Sequence, residues 1–558
     1  MPNGAELFVC TALELGIDTV FTLVGDHLNE VLTAAAHSGM RVVDLRHESA
    51  VAHAADAWAR IHRRPAISLV TGGPGHTNSL TGIATANLAG SPLIAVSGSR
   101  ERRLAERQAF QDIDQVGMVR PVVKWAAEVP AAGEIPFYLA RAFREADSGR
   151  RGAVHLTVPA DVFKEEGVGG REWRVGKGAA PAAPDSSDIG RAVELLRNTQ
   201  RPVVIAGSGV WWANAEEELR RFIELTSIPL YTITMARGAI ADDHPLVMGY
   251  ADPALNRGAY EAFREADLFL VVGKRIDYRL ALGGARLFPE NARFIQIDIH
   301  AGELGMNRAL DVAICADART SLEALTGSAG SLAGGAPWLA RVRSLRDAWR
   351  VKLAQSAADT ASPIHPAAFF RELSAALSPD ILYSWDGGDF AHWGRAMLPA
   401  RHPGGWLRLG PLGTIGAALP NGLALKLANP DRPVAIITGD GALGFYLAEM
   451  DSLVRHKLPV VLIVGNDAGW GLERELQSLV TGGGATVACE LSPARYDLVM
   501  QAFGGAGETI ERIEQVRPAV ARAFDSGVPY CLNVTIRGAR SPFTDWQVAS
   551  KAASSKLS

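Results

Sequence analysis

Residues 434–471 read VAIITGDGALGFYLAEMDSLVRHKLPVVLIVGNDAGWG, and their residue types run in the order strand, tight turn, helix, strand, turn. Val434–Thr438 and Pro459–Val464 are short, apolar, β-branched runs, the pattern of strands buried on both faces of a parallel sheet. Leu443–Arg455 is predicted as the helix between them. A crossover of this kind joins parallel strands and brings their carboxyl ends to one edge. At those ends stand Thr438-Gly439-Asp440-Gly441 and Gly465-Asn466-Asp467-Ala468-Gly469. A glycine pair at a strand end lets backbone N–H groups approach a phosphate, and Asp440 between them is placed to hold a hard divalent cation bound to that phosphate. Asp467 on the next strand end, with a nearby carbonyl and two phosphate oxygens, completes an octahedral Mg²⁺ site. Asp and Gly are also ordinary turn residues; two such ends one crossover apart favour the metal.

The same alternation fills the chain. Val20–Val24, Arg41–Leu45, Ala66–Val70, Pro92–Ser97 and Ala153–Val158 read as strands, as do Pro202–Ala206, Pro229–Ile233, Leu268–Val272 and Phe294–Ile299, and then Asp380–Ser384, the two strands above and Tyr530–Val534. Small-residue stretches at Gly176–Ser187 and Gly327–Pro337 separate the three series, and a charged helix, Trp338–Ala357, follows the second. The fold class is therefore α/β, with three consecutive doubly wound parallel-sheet domains at 1–175, 188–326 and 358–545, and a flexible tail at 546–558.

With 558 residues, a single compact core is excluded. The 56 basic and 60 acidic residues nearly cancel and form no long run of one sign, so a nucleic-acid groove or a membrane-surface patch has no electrostatic support. Cys10, Cys315, Cys489 and Cys531 are too scattered for a disulfide framework or a zinc site. No apolar stretch approaches the roughly 20 residues of a membrane span, and the expected compartment is the cytoplasm. Neither a GxxxxGK[ST] loop nor a GxSxG elbow occurs, and Gly207-Ser208-Gly209 lacks the third glycine of a dinucleotide site because Trp212 stands there.

Taken together, the GDG turn, the helix and strand, and the Asn-Asp pair resemble the diphosphate motif of thiamine-diphosphate enzymes related to acetolactate synthase, benzaldehyde lyase and 2-hydroxyacyl-CoA lyase. The resemblance runs through the whole chain. Arg46-His47-Glu48 is similar to the segment whose glutamate contacts the aminopyrimidine ring, which makes Glu48 the catalytic residue the resemblance implies. Thr71-Gly72-Gly73-Pro74-Gly75, with Asn78 beyond it, resembles the family's cofactor-binding turn, and Phe110-Gln111-Asp112 its pocket-lining segment with Gln111 catalytic. Gly413-Thr414-Ile415-Gly416 is similar to the segment whose apolar side chain, here Ile415, props the cofactor into a bent shape. The cofactor-binding set implied is completed by Gly388, Asp389 and Phe390, by Gly439, Asp440, Gly441 and Ala442, and by Asp467, Gly469, Trp470 and Gly471; the metal set is Asp440, Asp467 and Gly469.

The chemistry explains these types. Thiazolium C2–H is a poor acid, and a carboxylate buried against pyrimidine N1′ favours the imino tautomer, whose 4′ nitrogen then serves as the base. The sequence departs from its relatives in carrying Asp467 where Asn is common, and Ala442 where Ser often follows GDG. Glu473 stands where pyruvate decarboxylases have a second catalytic glutamate, and Glu490-Leu491-Ser492-Pro493 resembles bacterial 2-hydroxyacyl-CoA lyases, so the substrate implied is a branched 2-hydroxyacyl-CoA. Its hydroxyl proton would go to His27 or Glu490, and CoA phosphates would meet Arg401, His402 and Arg408. The rival reading is an acetolactate-synthase-like or benzaldehyde-lyase-like carboligase; a non-catalytic regulatory paralogue is disfavoured by the presence of Glu48, Asp440 and Ile415. The central domain is expected to hold ADP, a vestigial FAD or nothing, and the assembly to be an obligate homodimer or a homotetramer.

Overall fold

The computed structural model describes residues 1–167, 180–330 and 335–554. Among the described residues eighteen strands form three six-stranded sheets, and every neighbouring pair is parallel. The first holds β1 (Thr19–Thr22), β2 (Arg41–Asp44), β3 (Ala66–Val70), β4 (Leu93–Ser99), β5 (Trp125–Glu128) and β6 (Val154–Pro159) in the order β2-β1-β3-β4-β6-β5. The second holds β7 (Pro202–Ala206), β8 (Leu230–Thr232), β9 (Val247–Tyr250), β10 (Leu268–Val272), β11 (Arg293–Asp298) and β12 (Val312–Cys315) in the order β12-β11-β10-β7-β8-β9. The third holds β13 (Leu382–Trp385), β14 (Trp406–Arg408), β15 (Val434–Gly439), β16 (Val461–Asn466), β17 (Ala506–Ile510) and β18 (Tyr530–Thr535) in the order β14-β13-β15-β16-β18-β17.

The first and third sheets thus share one topology, and the central one has the strand order of a dinucleotide-binding fold without its glycine fingerprint. In the third sheet the order reverses between β13 and β15, so a crevice for ligands opens outside their carboxyl ends, where Asp386 and Asp440 lie.

The inner strands coincide with the apolar runs of the sequence. β5, β9, β12, β14 and β17 were not expected, and each is the edge of its sheet. The stretch 443–455 is not one helix: a helical turn at Asp440–Leu443, a 3₁₀ turn at Gly444–Tyr446 and a helix at Glu449–Arg455 replace it. The tail is also corrected, because Pro542–Ser554 is helical and Trp546 packs on Tyr260 and beneath the guanidiniums of Arg257 and Arg286. Residues 555–558, like residues 176–179 of the first linker, lie outside the described residues. Of the second stretch, Gly327–Ala329 belong to helix Ala318–Ala329, and the charged helix runs Ala336–Ser356.

The three units share their cores. One apolar cluster runs from Phe263, Phe269 and Phe294 of the central sheet to Phe369, Phe370 and Phe390 beneath the third. A second joins Trp58 and Ile83 of the first unit to Leu419 and Leu423 of the third. At about 1.5–3 kcal/mol per large apolar side chain buried, these seams fix the units against each other. Arg60 sits where all three meet: its guanidinium pairs with Asp56 and donates to the Arg408 carbonyl at 2.8 Å, while its own carbonyl accepts from the Trp211 indole at 2.7 Å.

Candidate active site

Two half-sites stand at strand ends of the first and third sheets. In the first, Glu48 opens helix Glu48–His62, and its Oε2 accepts from the Asn78 amide at 3.0 Å. Asn78 lies one turn into helix Pro74–Ala89, which follows the Gly72-Gly73 turn. Gly73 has φ +60° and ψ −115°, a conformation open only to glycine, and a Cβ there would strike Gln111. Gln115, just beyond Gln111 in the segment that resembles the family's pocket lining, locks this turn: its Oε1 accepts from the Gly73 N–H at 3.1 Å, and its Nε2 donates to the Gly98 carbonyl at 3.1 Å and to Thr157 at 3.3 Å.

His27 is brought to the same turn, with its Nδ1 accepting from the Gly72 N–H at 3.1 Å and facing Thr71 Oγ1 at 3.1 Å. Burial lowers its pKa below the ordinary histidine value, so the ring is neutral near pH 7. Phe110 is 84% exposed.

In the third unit, β15 delivers Asp440 to the first turn of a short helix, and the turn after β16 delivers Asp467. Asp440 Oδ2 accepts from the Gly469 N–H at 3.0 Å, which brings the two loops together as the crossover argument requires. Burial first, and then the charge of Asp467, raise the Asp440 pKa to about 6. Burial also raises that of Asp467, against the attraction of Arg474 at 3.4 Å. A buried carboxylate, Asp440, and a half-buried one, Asp467, that repel one another make a donor set suited to a divalent cation. The Trp470 indole packs over Gly441, and the Trp470 N–H is held by the Cys489 carbonyl at 2.8 Å. Ala442 is buried behind them, and Gly439 ends β15.

Asp386 organises this edge, and its role was not anticipated. Fully buried at the end of β13, it accepts from the N–H groups of Gly416 at 3.0 Å and Gly387 at 2.8 Å and from Thr438 Oγ1 at 3.2 Å, and burial raises its pKa to about 6. It thereby ties β13, β15 and the turn carrying Gly413, Thr414 and Ile415. The half-buried Ile415 side chain lies beside Gly387, and Thr414 meets Thr85 of the first unit at 2.8 Å.

Several expectations fail. Phe390 is a packing residue: it lies in the core against Phe369 and Phe370, at a place that a Cβ on Gly465 would invade. Asp389, next to Gly388 at the start of helix Gly388–Met397, spends its carboxylate on the Ser541 N–H at 3.1 Å and on Thr544 Oγ1, capping the last helix. Glu473 is exposed and has no hydrogen bond among the described residues. Arg408 is buried against Tyr250, away from any surface a CoA phosphate can reach. Glu490, by contrast, is carried to the metal loop by a bridge between Gly469 and Glu490 and pairs with Arg474 at 3.2 Å.

Glu449 was also missed. Wholly buried, it accepts from the Arg46 N–H at 3.1 Å and from Ser452 Oγ at 2.6 Å, and Tyr446 OH meets Ser49 Oγ at 2.9 Å. The third unit of the chain thus grips the residues on either side of Glu48.

Comparison with known proteins agrees with this arrangement. Residues 2–118 match the thiamine pyrophosphate enzyme N-terminal TPP binding domain, 189–325 the central domain, and 386–534 the C-terminal TPP binding domain. The chain belongs to the thiamine pyrophosphate enzymes, whose cofactor is thiamine diphosphate. It is 36% identical to a probable acetolactate synthase of Mycobacterium bovis over 93% of each chain. It is 31% identical to 2-hydroxyacyl-CoA lyase 2 of Caenorhabditis elegans over 95% of this chain and 87% of that one, and 29% identical to oxalyl-CoA decarboxylase of Escherichia coli over 96% and 95%. No described helix is long and apolar enough to cross a membrane.

Proposed function

We propose that the chain is a thiamine-diphosphate- and Mg²⁺-dependent carbon–carbon lyase that splits a 2-hydroxyacyl-CoA, branched ones included, into formyl-CoA and a ketone or aldehyde, and that also runs the reverse condensation. The observation that carries the reading is Glu490, an exposed carboxylate set beside Gly469 at the metal loop. Cleaving a carbinol carbon from a thioester carbonyl needs a base for the hydroxyl proton, whereas decarboxylating a 2-keto acid does not.

When bound, the cofactor supplies a nucleophilic carbon that adds to a carbonyl and then accepts the electrons of the breaking bond. Glu48, its carboxylate fixed by Asn78, would hold the proton exchanged with the cofactor's aminopyrimidine ring. Asp440, Asp467 and the Gly469 carbonyl would hold the metal, whose charge would offset that of the diphosphate. Glu490 would take the hydroxyl proton as the bond opens, with His27 as a neutral hydrogen-bonding group of the other half-site. Phe110 and Trp470 give the pocket apolar walls that suit an alkyl group. Exposed Phe110, Leu412 and Phe445 fit a chain that is covered by a second copy, with the two half-sites meeting across the interface in a homodimer or homotetramer.

Incubation with thiamine diphosphate, Mg²⁺ and 2-hydroxyisobutyryl-CoA should release acetone and formyl-CoA, and Glu490→Gln should slow release about 100-fold or more. The identity to acetolactate synthases favours the second reading. Acetolactate made from pyruvate, with every 2-hydroxyacyl-CoA left intact, would establish it.

A further inference from the structure

A cavity of 540 Å³ lies between the central sheet, the connecting helix Ala336–Ser356 and the loop after helix Gly388–Met397, lined by Asp242, Asp243, Arg343, Arg346, Arg350 and Arg401 among others. Arg343, Arg346 and Arg350 follow each other at helical spacing and so share one face. Two of them are anchored. Arg343 donates to the Pro245 carbonyl from Nε at 3.2 Å and Nη2 at 3.1 Å, and Arg346 donates to Asp347 at 2.9 Å and to the Val247 carbonyl at 3.5 Å.

The other two guanidiniums are uncommitted. Arg350 approaches Asp347 only to 3.7 Å and Arg401 approaches Asp243 only to 3.8 Å, and neither makes a hydrogen bond among the described residues. Asp242 offers the cavity no free charge, because both of its oxygens are taken by the buried Arg237 guanidinium and one also accepts from the Ala400 N–H at 2.9 Å. Four cations therefore face two carboxylates, Asp243 and Asp347, whose side chains are 70% and 57% exposed and solvated. Burial, and next the repulsion of Arg346, lower the pKa of Arg350 against the attraction of Asp347 and Asp242.

We propose that this cavity binds an anion carrying a phosphate or diphosphate group, with Arg350 and Arg401 as its principal donors and Arg343 and Arg346 as the walls that hold the positive field. Guanidinium forks match phosphate oxygens in pairs, and the cavity's excess of two positive charges matches a doubly charged ligand. The site is separate from the metal loop. Helix Gly388–Met397 starts at the carboxyl end of β13 and runs about 15 Å before Arg401, so the cavity opens at the opposite edge of the third sheet. A ligand there ties the connecting helix to the third unit. Its phosphate can be a free small ion or the handle of a CoA thioester long enough to reach from the reaction centre.

The test titrates inorganic diphosphate into protein saturated with thiamine diphosphate and excess Mg²⁺, at low salt, by calorimetry. The expected result is one site per chain, weakened by added salt. Arg350→Gln combined with Arg401→Gln should weaken it at least about tenfold with the thiamine diphosphate affinity unchanged. CoA that displaces the diphosphate assigns the site to the substrate handle; CoA that does not assigns it to a free phosphate ligand. No uptake by the wild-type protein, or equal uptake by the double variant, overturns the proposal.

Discussion

Replacing Glu449 by Gln tests whether the third unit positions the Glu48 segment through a buried acid. Burial raises the Glu449 pKa from its ordinary 4.5 to about 7, against the lowering effect of the hydrogen bonds from Ser452, Arg46 and His47. The folded state therefore holds this proton between pH 4.5 and about 7, where the unfolded state has released it. Because the unfolded state binds fewer protons in that window, stability falls as pH rises through it and levels off above. A shift of this size corresponds to about 3 kcal/mol, accumulated mostly between pH 5 and pH 7. Glutamine cannot ionise, so its variant should lose this slope. Its amide still accepts the Arg46 N–H, and the cost at pH 5 should stay near 1 kcal/mol. Urea unfolding of both proteins at pH 5, 6, 7 and 8 measures the difference. If the two curves fall in parallel, Glu449 does not carry a raised pKa and the account of this contact is wrong.

Glu48→Gln should keep the fold and the bound cofactor while removing most turnover; normal H/D exchange at thiamine C2 in that variant would refute its role. Asp440→Ala should abolish Mg²⁺-dependent retention of thiamine diphosphate, whereas Asp467→Asn should be tolerated, and equilibrium dialysis separates the two. Phe390→Ala should cost about 3–5 kcal/mol of stability without touching cofactor affinity, since the ring is a core filler; a specific loss of cofactor binding would return it to the site. Mixing Glu48→Gln chains with Asp440→Ala chains should restore part of the activity if each site draws one half from each chain, and no recovery after confirmed subunit exchange would place both halves in one chain.

What could be read from the sequence follows from where burial is complete. β3, β7 and β10 coincide with their apolar runs because an inner parallel strand is covered on both faces and admits little else. Edge strands carry no such mark. Alternate residues of β12 face water and β17 is mostly half-exposed, so neither forms an apolar run, and β14 is only three residues long. The turns bearing Glu48, Asp440 and Asp467 lie after β2, β15 and β16, where the sequence places them, because a glycine-rich or acidic turn directly after an apolar strand is a local pattern. Phe390 and Asp389 were misread because their neighbours in sequence, Gly387 and Gly388, face the crevice while the helix they start turns the next side chains into the core and toward Ser541. Only the tertiary structure disclosed Glu449 and what Asp386 and Gln115 bond, since an acid or amide that satisfies backbone N–H groups from distant segments leaves no local pattern. It alone also gathered Arg343, Arg346, Arg350 and Arg401 around one cavity, because charges from two separate segments acquire a shared field only when the chain folds them together.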